Sequence, residues 1–513
     1  MSRKNGGIIG PANTPVGGLF SGVAGGVWRM NDVLNFVNNS QWPKAPENID
    51  NSLRFNDGSS DYLSFTPSSA PTSSRIATLS FWFKLSSIST NFNLFSANQS
   101  GLAHAASFKI LLRDSNGRLE LQQDDGSAGN DFSLRTNQLF RDSSAWYHLV
   151  AAYDTTQGTA SDRIKLYING SQVTSFSQEN YPTQNLDLWL GDTDAHNVGR
   201  DVAYSASYYD GYMAEFVYID GQQLTPSSFG ETDSTTGIWK PKKIGAISGA
   251  GTNSFYLNFK DSSNLGNDAS GNSNNFTANN LTSIDQTTDT CVENYATWNP
   301  LVGSNAGGST EYYPTLEDGN TKATPGNAAQ NSIAVSTIGV SSGKWYAEFI
   351  LISESDSGAD SSIGVTDDLS AFQTENVQTS SQVLYSDSGS VHNRASSSSS
   401  GTSFSTGDVI GVALDLDNDN IYFSKNGTFI NSGAPTSGAT GTGAYSLGSG
   451  TNEYFFMVGD SRTGGSSVFR ANFGNPSASI SSGNSDANGH GNFEYSVPSG
   501  YYALNTSNLN TYG

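Results

Sequence analysis

The sequence predicts an all-β protein: two β-sandwich domains joined by a polar connector, preceded by an extended Gly-rich N-terminal arm. Three observations carry this. Short apolar runs of period two recur between turn residues, Gly is abundant at 55 of 513 residues, and only 14% of residues are charged. An ordinary soluble domain has roughly 25% charged residues; here Ser, Thr, Asn and Gly take those places. Such residues suit turns and polar strand faces and are poor material for long helices.

Residues 1–50 differ from the rest. Gly pairs at 6–7, 17–18 and 25–26 leave the backbone free, while Ile8, Ile9, Val16, Leu19, Phe20, Val23 and Val27 offer apolar anchors. Such a segment cannot build its own core. It reads either as a disordered terminus or as an arm that orders against a neighbouring subunit. Arg3 and Lys4 precede it, but Pro11, Asn13, Thr14 and Pro15 interrupt any apolar core, so a signal peptide is not expected.

Residues 51–230 carry the first set of strand signals. Leu53 and Phe55, then Tyr62, Leu63 and Phe65, flank the turn Asn56-Asp57-Gly58 as a strand–turn–strand unit. Ile76–Leu85 alternates, with Leu79, Phe81 and Phe83 on one face. Phe108–Leu112 and Leu119–Gln122 flank Asn116-Gly117, and Ile164–Ile168 and Val173–Phe176 flank Asn169-Gly170, two hairpin signals. Trp146–Tyr153, Leu186–Leu190 and Met213–Ile219 complete the set. Strands so closely spaced predict a sandwich. Trp82, Trp146, Trp189 and Trp345 fall within predicted strands and read as core.

Residues 231–329 read as the connector, with one strand at Phe255–Phe259 and Pro300, Pro314 and Pro325 marking an extended link. Residues 330–513 read as the second sandwich. Its strands are expected at Ile333–Val335, Lys344–Ile352, Ser362–Val365, Val383–Tyr385, Val409–Leu416, Ile421–Ser424, Tyr454–Val458 and Val468–Phe473. The tract Ser396–Ser400 is expected to be a surface loop.

Charge and cysteine content narrow the function classes. A net charge of −22 leaves no electrostatic footprint for nucleic acid and disfavours anionic membranes. No run of about 20 apolar residues could span a bilayer. Cys291 is the single cysteine, so no intrachain disulfide is expected.

Four motifs in the first sandwich, Leu79–Leu85 (LSFWFKL), Trp146–Tyr153 (WYHLVAAY), Ile164–Gly170 (IKLYING) and Gly211–Gly221 (GYMAEFVYIDG), resemble a laminin-G-like domain of the concanavalin-A-like lectin/glucanase superfamily. The second sandwich resembles a SPRY domain through Gly343–Phe349 (GKWYAEF), Ile363–Val365 (IGV), Gly407–Gly427 (GDVIGVALDLDNDNIYFSKNG) and Val468–Pro476 (VFRANFGNP). With the Gly-rich arm and the motifs Asp261–Phe276 (DSSNLGNDASGNSNNF) and Asn294–Leu301 (NYATWNPL), nearly the whole chain resembles virion proteins of marine bacteriophages. That resemblance implies a virion location, attachment to other virion subunits through residues 1–50, homo-oligomers, and recognition of a host cell-surface glycan or protein. A structural adaptor or capsid decoration protein is the alternative, and a polysaccharide-degrading enzyme a lesser one.

The chemistry-bearing residues favour binding over catalysis. Glucanases of the superfamily use paired carboxylates in Glu-x-Asp-x-x-Glu; the nearest string, Glu354-Ser355-Asp356, has Ala359 where the second Glu belongs. The five His residues are scattered, and His148 sits in an apolar run, as a core residue would. Asp415, Asp417 and Asp419 begin like a calcium loop, but Asn420 and Asn426 stand where Gly and Glu are needed. The loop 191–210 is a better Ca2+ candidate through Asp192, Asp194 and Asp201, and the competing reading is a solvated acidic loop. It also carries Tyr204, Tyr208, Tyr209 and Asp210, rings to stack on sugar C–H faces beside a hydroxyl acceptor. In the second sandwich, Tyr385, His392 and Arg394 lie on loops at one end, where SPRY relatives meet their ligands.

Overall fold

The computed structural model describes residues 48–87, 91–99, 106–113, 117–126, 130–303, 313–325, 332–354, 361–369, 381–394, 396–448, 452–460 and 467–513. The N-terminal arm therefore lies almost wholly outside the described residues. The chain forms two compact units. The first runs to Phe83 and adds Ile88–Arg141 and Trp146–Gln286; the second comprises Lys84–Ser87, Asp142–Ala145 and Thr287–Gly513. The stretch 231–329, expected to be a connector, is divided between them. Among the described residues no helix is long and apolar enough to cross a membrane.

The first unit holds β1 (Ser52–Phe55), β2 (Tyr62–Phe65), β3 (Ile76–Leu85), β4 (Phe92–Asn98), β5 (Ser107–Arg113), β6 (Arg118–Asp124), β7 (Asn130–Leu139), β8 (Tyr147–Asp154), β9 (Ile164–Ile168), β10 (Ser171–Gln172), β11 (Phe176–Asn180), β12 (His196–Val198), β13 (Gly211–Asp220), β14 (Gly230–Thr232), β15 (Trp239–Pro241), β16 (Phe255–Leu257) and β17 (Thr277–Asn279); β18 (Gln286–Thr287) follows. One sheet runs β10-β9-β8-β3-β13-β1, with β16 beside β13; the other runs β11-β7-β6-β5-β4-β12-β2-β17. Rings from the two inner faces interdigitate. Phe95 of one sheet meets Phe216 of the other at 5.8 Å and Phe108 meets Tyr153 at 5.6 Å, while Phe81 stacks on its sheet neighbour Phe216 at 4.6 Å.

Three local expectations change. β1 and β2 flank the Asn56 turn as expected but join different sheets, β1 on β13 and β2 on β12 and β17, so the turn is a corner. The hairpin at Asn169-Gly170 has φ of 47° and 78°, as a two-residue I′ turn requires. Its return strand is Ser171–Gln172, not Val173–Phe176, because Phe176 already belongs to β11 on the other sheet. Leu186–Leu190 forms no strand; Gln123 and Thr155 side chains bind its backbone instead.

Residues 229–276 cover the outer face of the β8–β13 sheet. Phe229, Ile244, Tyr256 and Ala269 pack on Val150, Val217 and Ile219. Asp268 organises the turn-rich part: its carboxylate accepts from the N–H groups of Tyr256, Ser270 and Asn274 and from Ser270 Oγ. With both faces covered, β13 is buried at every position.

The second unit holds β19 (Thr315–Glu317), β20 (Lys322–Thr324), β21 (Ser332–Val340), β22 (Lys344–Ser353), β23 (Ser361–Thr366), β24 (Gln382–Ser386), β25 (Ser390–Asn393), β26 (Ser396–Ser399), β27 (Val409–Asp415), β28 (Asn420–Lys425), β29 (Thr428–Phe429), β30 (Tyr445–Ser446), β31 (Tyr454–Asp460), β32 (Val468–Asn472) and β33 (Tyr502–Ala503). One sheet runs β19-β20-β32-β22-β27-β28-β29, with β30 on β28 and β33 on β22; the other runs β21-β31-β23-β24-β25-β26. Trp298, Phe349, Phe456 and Phe473 pack between them, with ring separations of 5.4 to 6.0 Å. The serine tract is not a loop. Ser396–Ser399 is an exposed edge strand paired to β25, because hydroxyl side chains tolerate full exposure on a pleated ribbon.

Candidate functional site

The first unit holds a cleft of about 800 Å3 built from three separate segments: 70–75, Gln99, and 187–192. Each wall is fixed from behind. The buried carboxylate of Asp220 accepts the N–H groups of Thr72 and Ser73 at 2.8 and 3.3 Å. Gln123 donates to Asp187 O and accepts from Trp189 N, and Asn253 donates to Ser69 O and Gly191 O. Because these bonds satisfy the buried backbone, the irregular segments hold their shape without strand pairing.

The cleft wall combines charge with one aromatic residue. Asp187 Oδ1 accepts from Arg75 Nε at 2.9 Å and from Ser74 Oγ at 2.7 Å. Ser74 and then Arg75 hold the Asp187 carboxyl below its ordinary value, so it is an anion at neutral pH. Arg75 and Asp187 are 42% and 60% exposed, and the largely buried Trp189 also lines the cleft. Asp192 lies at the rim. The set provides a guanidinium donor, a charged acceptor, an amide and an aromatic residue in the wall, which suits a polyhydroxylated ligand.

The loop 191–210 does not gather its candidate ligands. Asp201 Oδ2 accepts from Lys109 Nζ at 2.7 Å and Oδ1 from Ala203 N, while Asp192 Oδ1 accepts from Thr193 N. The structure does not bring Asp192, Asp194 and Asp201 together: Asp201 is committed to a buried ion pair, and among the described residues no group of three or more His, Cys, Asp or Glu is placed to hold a metal. His196 clips this loop. Gly191 N–H donates to its Nε2, so the ring proton sits on Nδ1 and donates to Asp194 O.

The tyrosines also separate. Tyr209 is fully buried against Phe55 and Phe92, and Asp210 is buried, so neither is offered to a ligand as expected. Tyr208 is half-buried against Tyr62, whose ring carries the Arg200 guanidinium at 3.6 Å. Tyr204 alone is well exposed, at 54%.

In the second unit the structure places Tyr385 and Arg394, expected as ligand contacts, in contacts that hold the fold together. Tyr385 is buried between Phe404 and Phe423, and its hydroxyl donates to Thr402 O. Arg394 donates from Nε to Leu447 O and from one terminal nitrogen to Asp367 Oδ2 and Tyr454 Oη, clipping three segments together. His392 is half-buried, and burial holds its imidazole below the ordinary value. Asp415 is also committed, to Lys344 Nζ and to Asn418. Of the string Glu354-Ser355-Asp356, only Glu354 lies within the described residues.

Sequence reasoning missed the cleft. Trp189 read as a strand residue, and nothing in the spacing of Arg75, Gln99 and Asp187 announces that they meet.

The two units thus define a protein made of antiparallel β-sandwiches. Residues 57–228 match the model of a laminin-G family described as the concanavalin A-like lectin/glucanases superfamily, and residues 344–445 match the SPRY domain. The chain carries a laminin-G-like domain followed by a SPRY domain. Among solved structures it is similar to the SPRY domain of human HERC1, with 18% identity over 34% of this chain and 96% of that one, TM-score 0.25. It is similar to native heptameric SAP-like pentraxin from Limulus polyphemus, with 17% identity over 40% and 92%, TM-score 0.28. Domain 4 of AbnA, a GH43 extracellular arabinanase from Geobacillus stearothermophilus, in complex with arabinotriose, matches at 22% identity over 30% and 65%, TM-score 0.24. No curated protein matches the chain.

Proposed function

We propose that the chain is a bacteriophage virion protein, a tail fibre or tail-associated subunit, that recognises a host surface glycan non-covalently through the cleft of its laminin-G-like domain. The observation that carries the recognition step is the exposed Arg75–Asp187 pair beside Trp189 in a cleft of about 800 Å3. Saccharide hydroxyls pair with a fixed donor–acceptor set, and an aromatic edge covers C–H groups. The virion reading is supported by the Gly-rich arm and the motifs Asp261–Phe276 and Asn294–Leu301. Copies arrayed on one particle would raise avidity without a strong single site.

The test applies the purified full chain and its Arg75→Ala variant to a glycan array and to intact bacterial cells. Glycan binding that falls at least about tenfold in the variant, the loss of roughly one charge-assisted hydrogen bond, supports the reading. Binding to phage particles but not to cells or glycans replaces it with the structural adaptor. Release of reducing sugar would replace it with an enzyme.

A further inference from the structure

Within the second unit, Lys84 Nζ lies 2.8 Å from Asp289 Oδ2, 2.7 Å from Asn294 Oδ1 and 3.2 Å from Tyr295 O. The side chains of Lys84 and Asp289 are 1% and 0% exposed. An amine and a carboxylate are thus held in contact away from water, with a half-buried carboxamide against the amine. We propose that Lys84 and Asn294 condense into an intramolecular isopeptide bond, with Asp289 as the proton-transfer group.

Four observations support the reaction. A carbonyl bond is about 1.23 Å long, so Asn294 Cγ lies no more than about 3.9 Å from Nζ, close to the roughly 3–3.5 Å of a reacting pair. The carboxamide is oriented, because Asn294 Nδ2 donates to Ser144 O at 2.6 Å and turns Oδ1 towards the lysine. Asp289 is held in place by Asn475 Nδ2 at 3.3 Å and by a bond from its own N–H to Thr287 Oγ1. Asn294 is half-buried, which gives the leaving group a way out.

The chemistry balances without oxidant or cofactor. A buried ion pair has lost its hydration, so passing the ammonium proton to the carboxylate exchanges two poorly solvated charges for two neutral groups. The freed Nζ lone pair then attacks Cγ. The Nζ–Cγ bond forms, Asp289 returns its proton to Nδ2, the Cγ–Nδ2 bond breaks, and the second proton that Nζ sheds passes through the Asp289 carboxylate to the departing ammonia, which leaves as ammonium. The lysine ammonium and the carboxamide become a secondary amide and ammonium, and Asp289 is a carboxylate again. The new bond joins positions 210 residues apart in sequence.

Mass spectrometry of the purified full chain decides the matter. The expected intact mass is below the sequence mass by one ammonia, and a tryptic digest yields a branched peptide containing Lys84 and Asn294. Lys84→Arg and Asn294→Ala should each show their sequence mass, and Asp289→Asn should lose the branch. An unchanged wild-type mass after prolonged incubation overturns the proposal. So does an ammonia loss located at Asn169-Gly170 or Asn426-Gly427, where succinimide formation sheds the same fragment. The wild-type measurement decides even if a variant fails to fold.

Discussion

Trp239 donates its indole N–H to Nδ1 of His148 at 3.0 Å while its ring stacks on the imidazole, centroids 5.9 Å apart. With Nδ1 an acceptor, the proton resides on Nε2 and is donated to Ser80 Oγ at 2.9 Å. Trp82 stacks on the imidazole at 4.6 Å. The imidazole is therefore neutral, and burial draws its pKa down to about 3.

Acid should weaken the first unit. His196 is also buried and depressed, to about 4. Below about pH 6.5 the unfolded chain protonates both imidazoles and the native state does not, so stability falls as pH drops from there towards 4. The limit is about 1.4 kcal/mol per pH unit for each histidine. Calorimetry across pH 7 to 4 should show the first unit's transition moving down. Trp239→Phe, which leaves Nδ1 without its donor, should cost a further 1–3 kcal/mol, as an order of magnitude.

The second unit should respond with the opposite sign. Burial, then the adjoining Glu354 carboxyl, lifts Asp387 to about 7. As pH rises from about 4 to 7 the unfolded chain ionises this group while the native state keeps it protonated, so stability declines with rising pH. The two calorimetric transitions should therefore diverge between pH 7 and 5, and Asp387→Asn should flatten the second one. Parallel movement of both transitions would sink this account.

Glu120 should be among the least replaceable acids of the first unit. It is fully buried, accepts from Ser133 Oγ at 2.6 Å, and bridges Arg135 at 3.1 Å and Arg113 across β5, β6 and β7. Glu120→Ala leaves two partly exposed guanidinium groups without their anion, an effect of about 1–3 kcal/mol. Urea unfolding of the first unit should show it as a lowered midpoint.

Gly170→Ala should disrupt the same aromatic stack from below. Gly170 has φ of +78°, and a Cβ there would stand only 2.4 Å from the Trp239 ring. Displacing the indole adds to the roughly 1–2 kcal/mol of left-handed strain, and Trp fluorescence should shift together with the melting temperature.

The fold was legible because strand residues advertise themselves. Ile76–Leu85, Lys344–Ile352 and Val409–Leu416 alternate or run apolar between turn residues, and their strands fall where the pattern puts them. The misreadings have physical causes. Phe176 has a strand-forming side chain, yet pairing partners decide which sheet receives it, and no local pattern encodes a sheet change. Ser396–Ser399 lacks strand propensity and is recruited by β25 through backbone bonds alone. The candidate site was the least legible part. Tyr209 and Tyr385 carry binding chemistry but sit in cores, whereas Arg75, Asp187 and Trp189 meet only after long-range folding.

The cover that residues 229–276 lay over β13 also bears on how this chain tolerates change. A strand with one wet face accepts polar substitution at every second position, so half its length drifts freely. Gly211–Asp220 has no such positions. Saturation mutagenesis should find this decapeptide uniformly intolerant, and natural variants should accumulate instead on strands such as Phe176–Asn180, where four of five side chains face water.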